Sequence, residues 1–176
     1  MTINFTLCNF MVGFLLDFNR SSEASSVFEK LRKTFGMSDI TLKKLMPVIL
    51  TDNGSEFSDV STIENNGEIS LFFCDPMRSD QKWRIEKNHT LFRDICPKGT
   101  SFDDYSQETI DLFFSHVNSV SRASLNGKTP YEVFEFTYGK KITSLLGIKR
   151  IPAREVIQSP MLLKHRQPKH FKYTTK

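Results

Sequence analysis

The spacing of apolar residues in the first part of the chain predicts one strand followed by two helices. β-Branched, aromatic and aliphatic side chains dominate residues 2–16 and predict one long strand. A helix should follow, beginning near Ser21 and ending before Gly36, because its apolar positions recur every three or four residues. These positions are Ala24, Val27, Phe28, Leu31 and Phe35. A shorter helix after Ser38 should stop before Pro47, since proline disfavours the helical conformation of the residue preceding it.

Short apolar runs alternate with turn signals in the middle of the chain. Val48–Thr51 is predicted to be a short buried strand that ends at the Asn53-Gly54 turn. Ser58 is expected to cap a brief helix, and residues 68–74 form the next predicted strand. Asp52 therefore lies where a strand ends.

Three helices are predicted in the second half of the chain. The first covers residues 81–95, and the second begins after Ser106 with an apolar stripe that includes Phe113 and Val117. The third begins at Thr129, which is followed by proline at the first helical position and by glutamate at the third. Strands that alternate with helices predict an α/β fold, in which ligands bind at the carboxyl ends of the strands.

Charge and cysteine content narrow the classes of partner and compartment. The net charge is +4 and the pI is near 9.0, which allows a polyanionic partner without requiring one. Cys8, Cys74 and Cys96 have neither zinc-site nor disulfide spacing, so a reducing cytoplasm is expected. The longest apolar stretch, residues 10–16, is too short to cross a bilayer. No acidic residue follows Glu155, and the basic end that results is either a solvated tail, which we favour, or a nucleic-acid contact.

Two carboxylates are candidates for metal chemistry. Asp52 ends a predicted strand and Glu86 lies on a predicted helix, and Mg²⁺ and Mn²⁺ prefer such oxygen ligands. Two such ions can bracket the attacking and leaving oxygens in phosphoryl transfer. The residues alone leave this open, because Asp-Asn-Gly is a common turn and the helix around Glu86 has an ordinary amphipathic pattern.

Several ordered blocks of sequence resemble one known family. They are ILTDNGSEF at 49–57, FFCDP at 72–76, EKNH at 86–89, PKGT at 97–100, LNGKTP at 125–130, and LGIK at 146–149 followed by Ile151-Pro152. Together they are similar to the catalytic core of bacterial insertion-sequence transposases of the insertion-sequence-thirty family. These enzymes are relatives of retroviral integrase with a ribonuclease-H-like fold.

The resemblance implies a catalytic triad of two aspartates and one glutamate. Asp52 matches the second aspartate and Glu86 matches the glutamate, and both would bind Mg²⁺ or Mn²⁺. The implied activity is cleavage of DNA at the ends of a transposable element and strand transfer into target DNA. The expected DNA-binding residues surround Glu86: Lys82, Arg84, Lys87, Asn88 and Arg93. A bacterial cytoplasmic protein at the nucleoid is expected.

The departure from the family pattern concerns the first aspartate. In the family it lies on the first strand of the core, whereas this chain begins with what resembles the third strand. We therefore expect an incomplete ribonuclease-H-like fold that lacks two strands, with a partial catalytic core at 1–139 and a C-terminal extension of helices and basic tail at 140–176. Asp17 ends the predicted first strand, but this is the wrong strand for the missing ligand.

These expectations give one principal reading and two alternatives. The principal reading is a transposase fragment that is inactive alone because one catalytic carboxylate is missing. An alternative is a non-catalytic remnant that binds DNA or transposase subunits as a regulator. Besides DNA, the candidate partners are a second copy of the chain and a complementing transposase fragment. A further alternative is a fragment that is complemented by a separately encoded piece carrying the missing strands.

Overall fold

The computed structural model describes residues 1–36, 40–75 and 83–165, without the side chains of 83–88, 164 and 165. Its strands are β1 (Thr2–Phe5), β2 (Phe10–Gly13), β3 (Val48–Thr51) and β4 (Ser70–Phe73). Its α-helices are α1 (Ser21–Phe35), α2 (Leu42–Leu45), α3 (Val60–Glu64), α4 (Trp83–Ile95), α5 (Gln107–Asn118), α6 (Pro130–Tyr138) and α7 (Lys140–Leu145). Short 3₁₀ helices cover Ser55–Phe57, Ala123–Leu125, Ala153–Glu155 and Pro160–His165.

The beginning of the chain is a hairpin, so the prediction of one long strand over residues 2–16 is wrong. Strands β1 and β2 pair antiparallel, with Thr2 opposite Gly13 and Phe5 opposite Phe10. The chain reverses through residues 6–9, where Asn9 adopts a left-handed conformation with φ of 55°. Asparagine tolerates this conformation better than most residues do. Two strands therefore precede α1, where the sequence predicted one.

Helix α5 closes the outer edge of β2 with side-chain amides. Asn118 is fully buried; its Oδ1 accepts a 2.9 Å hydrogen bond from the Met11 amide, and its Nδ2 donates one of 2.7 Å to the Met11 carbonyl. Gln107 does the same two residues further on, because its Nε2 donates to the Gly13 carbonyl and its Oε1 accepts from the Leu15 amide. A Cβ atom on Gly13 would lie 2.8 Å from Cδ2 of Phe114, so glycine permits this close approach of strand and helix.

Strands β3 and β4 form a second, parallel pair, with Leu50 opposite Phe72. One face of this pair packs on the core, where Thr51 and Leu71 are buried. The other face is exposed, since Val48 is 59%, Leu50 48% and Phe72 56% accessible. The prediction that Val48–Thr51 is a buried strand is therefore wrong for this face. A fully buried apolar run and a half-buried one look alike in sequence.

Helix α1 is confirmed with its predicted apolar face. All five of its predicted apolar positions are buried: Ala24, Val27, Phe28, Leu31 and Phe35. Its polar face carries Arg32, whose Nε lies 2.7 Å from Glu68 Oε2 and whose guanidinium also donates to the carbonyls of Thr62 and Ile63. Arg32 thus fixes α1 to α3 and to the segment entering β4. Gly36 ends the helix with a right-handed φ of −58° and has no left-handed capping role.

The predicted start of α6 is confirmed as a complete capping box. Thr129 Oγ1 accepts from the Glu132 amide at 3.1 Å, and the Glu132 carboxylate accepts from the Thr129 amide at 3.0 Å. Phe134 on this helix stacks on Phe10 with ring centroids 4.0 Å apart and meets Phe5 edge-on. These rings join α6 to the hairpin.

The segment that follows α7 packs along α5. Ile142, Leu146 and Ile148 are buried in the same core as the hairpin. Beyond them, main-chain amides of residues 149, 151 and 157 donate to polar side chains of α5 and of the residue that caps its end. The acceptors are Ser115 Oγ, Ser119 Oγ and His116 Nδ1. The division of the chain at 139 and 140 stays a prediction.

The described residues form a mixed α/β fold with two two-stranded sheets and several helices around one apolar core. The expected α/β class is confirmed at this level, and the ribonuclease-H-like arrangement stays a prediction. No helix in the described ranges combines the length and apolar character needed to cross a lipid bilayer.

Candidate functional site

Asp52 lies immediately after the last residue of β3. The preceding Thr51 is buried at 7% exposure, whereas Asp52 itself is exposed. Thr51 Oγ1 is 3.4 Å from Asp52 Oδ1, so a hydroxyl fixed in the core can orient the exposed carboxylate. As predicted, the strand presents a carboxylate at its carboxyl end, where oxygen ligands for a hard cation are accessible.

A second acid, Glu56, occupies the same loop. Residues Ser55–Phe57 form a 3₁₀ turn, in which the Phe57 amide donates to the Gly54 carbonyl at 3.0 Å. The Glu56 carboxylate folds back over Gly54, because a Cβ atom at position 54 would lie 2.7 Å from its Cδ. A larger residue at position 54 would therefore displace the Glu56 carboxylate from this position. Glu56 lies within the block 49–57 that resembles the family, but nothing in the sequence predicts that its carboxylate folds back over the loop.

The loop after β3 lies in electrostatic range of the amino terminus of β1. The Met1 amine donates a 2.8 Å hydrogen bond to the Phe14 carbonyl. Burial lowers the pKa of this amine, and the negative charge of Glu56 acts in the opposite direction. Glu56 therefore acts on the charge of the residue 1 amine.

Helix α4 is anchored to the same end of the hairpin. Its His89 is half-buried, with Nε2 3.1 Å from Oγ1 of Thr2. On the next turn, the Phe92 ring stacks on Phe114 of α5 with centroids 4.8 Å apart. Thr90 and Arg93 are exposed, so the helix presents a polar stripe to solvent.

The two sequence blocks have different relations to the start of the hairpin. Glu56, in the block after β3, acts electrostatically on the Met1 amine, and His89, in the block of α4, lies 3.1 Å from Thr2. Glu86 belongs to α4 one turn before His89, but its side chain lies outside the described residues. The pairing of Asp52 with Glu86 stays a prediction.

The predicted DNA-binding residues are described only in part. Arg93 is exposed in the last turn of α4. Arg84, Lys87 and Asn88 lie on α4, with side chains outside the described part, and Lys82 precedes the described residues of this helix. Their contacts with DNA stay predictions.

The other acids near these blocks have structural roles or exposed positions. Asp59 caps α3, accepting from the Thr62 amide at 3.3 Å and from Ser25 Oγ at 2.9 Å. These hydrogen bonds, chiefly those from Thr62 and Ser25, lower the pKa of the Asp59 carboxyl. Asp59, and not the predicted Ser58, is therefore the N-cap. Asp75 is exposed after β4, and Asp80 lies outside the described residues.

Asp17 is placed at the mouth of an apolar groove of about 390 Å³. The groove lies between the hairpin, α4 and α5, and Phe14, Phe92 and Phe102 line it. The residues that line this groove include none from the loop of Asp52. Among the described residues, no group of three or more histidine, cysteine or acidic side chains is arranged to hold a metal ion.

Comparison with known proteins identifies relatives of the chain. It is 32% identical over 94 residues to the transposase for insertion sequence element IS4351 of Bacteroides fragilis, covering 53% of this chain and 29% of that protein. It is 28% identical over 116 residues to the transposase InsI for insertion sequence element IS30A of Escherichia coli, covering 66% and 30%. This chain is a relative of insertion-sequence transposases. The expected resemblance is confirmed.

The same comparison extends to a viral relative and sets the extent of the match. A putative integrase, ORF3 of Spiroplasma virus SpV1-R8A2 B, is 36% identical over 86 residues, covering 49% of this chain and 27% of that protein. The chain spans less than a third of the length of each of these transposase and integrase relatives. No family model and no solved structure matches the chain.

Proposed function

We propose that this chain is part of an insertion-sequence transposase and contributes Asp52 and Glu86 to a divalent-metal site for DNA cleavage and strand transfer. The observation that carries the proposal is the exposed Asp52 carboxylate directly after β3, with α4, the helix of Glu86, held to the hairpin by the 3.1 Å contact of His89 with Thr2. Similarity to transposases supports the reaction class.

The carboxylate ligands proposed for this site are of the type that Mg²⁺ and Mn²⁺ prefer. Their number is one fewer than in the triad of the family. Asp52 and Glu86 would hold the ions with carboxylate oxygens, as hard cations prefer. When bound, two such ions supply the activation of a water or a DNA 3′-hydroxyl and stabilise the leaving oxygen. No residue of the chain is assigned to the first aspartate of the family, so the chain alone is proposed to lack cleavage activity.

The surrounding residues of the chain have positioning roles in this proposal. Thr51 orients the Asp52 carboxylate by its 3.4 Å contact, and Thr2 holds α4 through His89. Arg93, on the exposed stripe of α4, would contact DNA phosphates together with the other predicted cationic residues. Such contacts give affinity without choice of sequence.

Paramagnetic Mn²⁺ tests whether Asp52 and Glu86 share one site. In an amide nuclear magnetic resonance spectrum, the lowest effective Mn²⁺ concentration should broaden the signals of Gly54, Ser55, His89 and Thr90 together. Glu86→Gln should remove the broadening from both groups of signals. Glu108→Gln, which changes an exposed acid on α5, should leave it unchanged. Broadening that is confined to one group, or that survives Glu86→Gln, would contradict the shared site.

Cleavage and DNA affinity are tested with the purified chain. With Mn²⁺ and element-end DNA we expect no strand cleavage, and nicking that disappears in Asp52→Ala would overturn the proposed inactivity.

Binding to a short duplex should weaken steeply as salt rises, because phosphate contacts release counterions. An absent or salt-independent interaction would count against DNA binding.

A second candidate function is that of a subunit-interacting regulator. The exposed apolar face of Val48, Leu50 and Phe72 favours it, because large exposed apolar patches mark interaction sites. In cells, expression of this chain should then lower transposition by a full-length relative, and Asp52→Asn should lower it equally. An effect that requires Asp52 would favour the catalytic role instead.

A further inference from the structure

Two buried serine hydroxyls tie the segment that follows α7 to α5. Ser115 Oγ accepts from the Lys149 amide at 2.9 Å and donates to the Asp111 carbonyl at 2.6 Å. Its hydrogen is used within the helix, so its lone pairs are left for the segment. Ser119 Oγ, one turn further on, accepts from the Ile151 amide at 3.0 Å. The two hydroxyls therefore fix the start of the segment along one side of α5.

His116 ties the same segment to α5 further along the chain. Its Nδ1 accepts a 3.0 Å hydrogen bond from the Ile157 amide, and its side chain is only 5% exposed. Because an N–H group faces Nδ1, this nitrogen carries no proton and acts as an acceptor. Without this acceptor the Ile157 amide would lose its hydrogen bond, at a cost in folding free energy.

The far end of the segment reaches α4. Its 3₁₀ helix Pro160–His165 packs against α4, the helix that carries Glu86. Leu162 is 2% exposed and belongs to the common core, whereas the neighbouring Met161 is 62% exposed. Residues 149–159 belong to no α-helix and no strand, so the side chains of α5 determine the course of the chain between α7 and α4.

We propose that residues 149–165 form a strap that His116 fixes on α5 and that sets the position of α4, and through it that of Glu86. This inference rests on the proposed function. Metal ligands must be placed within about 0.2 Å, so the helix that supplies one has to be held from several sides. Helix α4 is held on the hairpin through His89, on α5 through Phe92 and on the strap. His116 is a positioning residue that acts through the strap.

Two substitutions at position 116 separate the acceptor from the bulk of the ring. His116→Leu keeps a large buried side chain without an acceptor. His116→Asn keeps an acceptor, since Oδ1 of asparagine is as many bonds from Cα as Nδ1 of histidine. Exchange of the Leu91 and Phe92 amides in α4 should accelerate about tenfold in His116→Leu, and His116→Asn should recover most of this loss. Equal acceleration in both variants, or none in His116→Leu, would overturn the proposal.

A buried hydrogen bond of α1 provides the matched control. Ser25→Ala removes the 2.9 Å hydrogen bond from Ser25 Oγ to Asp59. It should not accelerate exchange of the Leu91 and Phe92 amides more than that of the Phe28 amide in α1. His116→Leu should show the opposite selectivity. If both variants accelerate exchange uniformly, His116 affects only general stability and the proposal fails.

Leu162→Ala tests the strap without a change in α5. Truncation of this buried side chain should loosen the 3₁₀ helix and accelerate exchange of the Leu91 and Phe92 amides by about tenfold or more. Met161→Ala, at the neighbouring exposed position, should behave like the wild type. Equal exchange in the two variants would contradict the role of the strap.

Mn²⁺ binding reports whether the strap positions Glu86. In His116→Leu, the Mn²⁺ concentration that broadens the His89 and Thr90 signals should rise about tenfold, as it does when a supporting contact of a metal ligand is lost. Ser25→Ala should leave it unchanged. An unchanged Mn²⁺ requirement in His116→Leu would overturn the positioning of Glu86. Absent broadening in the wild type refutes the proposed metal site, whereas unchanged α4 exchange in His116→Leu and Leu162→Ala refutes the strap, so the two failures are distinct.

Discussion

A buried side-chain amide of α5 holds the outer strand of the hairpin. Asn118 satisfies the amide and the carbonyl of Met11 with one side chain, at 2.9 and 2.7 Å. The position of Asn118 at the end of an amphipathic helix does not predict this role. The partner residue is more than a hundred positions earlier, and only the packing of α5 on β2 brings the two together.

Asn118→Leu should strongly destabilise the protein. The substitution leaves two buried main-chain groups of Met11 without partners, and each such group costs about 1–3 kcal/mol. Unfolding by denaturant should show a fall in the free energy of unfolding of roughly 2–6 kcal/mol. Asn19→Leu, at an exposed position, should change it by less than about 0.5 kcal/mol. Equal effects of the two substitutions would exclude the proposed role of Asn118.

Asp111 should destabilise the folded state as it ionises. Burial raises the pKa of its carboxyl, opposed by a 2.7 Å hydrogen bond from Gln107. A raised folded-state pKa means that the contribution of this group to stability is present at acid pH and is lost as pH rises through the folded pKa. Asp111→Asn should therefore gain stability relative to the wild type as pH rises from acid to neutral. Unfolding measured over a pH series checks this, and a constant difference would contradict it.

Glu108, on the same helix, should change stability with pH in the opposite direction. Its carboxyl has a lowered pKa, chiefly through a hydrogen bond with Ser106. A lowered folded-state pKa means that stability is present at neutral pH and is lost as pH falls through the folded pKa. Glu108→Gln should therefore be less stable than the wild type at neutral pH and equal to it at acid pH. The same pH series would reject this assignment if the difference persisted in acid.

The start of α6 was correctly predicted because its signal is local. The capping box of α6 is carried by residues within four positions of one another, and it forms as the sequence predicts. The hairpin was missed because its turn at residues 6–9 contains neither glycine nor proline. Alternating apolar residues continue through that turn, so the pattern gives no sign of the reversal.

Thr129→Ala should weaken the start of α6. The substitution removes the hydroxyl that accepts from the Glu132 amide, and loss of such a cap costs about 1 kcal/mol. Denaturant unfolding should register this loss. Thr137→Ala removes an exposed hydroxyl near the end of the same helix and should have little effect. A Thr129→Ala variant as stable as Thr137→Ala would show that the cap contributes nothing.

One apolar core joins the hairpin, α1, the inner face of β3 and β4, and the C-terminal helices. Phe28 of α1 and Phe134 of α6 are both fully buried members of it. The whole molecule is thus expected to unfold in a single transition, despite its two separate small sheets.

Phe28→Ala and Phe134→Ala test this cooperativity. Each deletes a buried aromatic ring and should lower the free energy of unfolding by about 3–5 kcal/mol. Far-ultraviolet circular dichroism and amide exchange should report the same shifted transition for both variants. A transition in which only the hairpin or only the α1 region melts early would show that the core is divided.

The sequence by itself determined the capping box of α6, the apolar face of α1, the strand that ends before Asp52 and the resemblance to insertion-sequence transposases. These depend on residues that are neighbours in the chain or on blocks kept in order. The tertiary structure alone decided that residues 2–13 form a hairpin, that His89 meets Thr2, and that side-chain amides of α5 close the outer edge of β2. The physical reason is that these contacts join residues far apart in the chain, and neither periodicity nor composition encodes which distant partner a main-chain group will find.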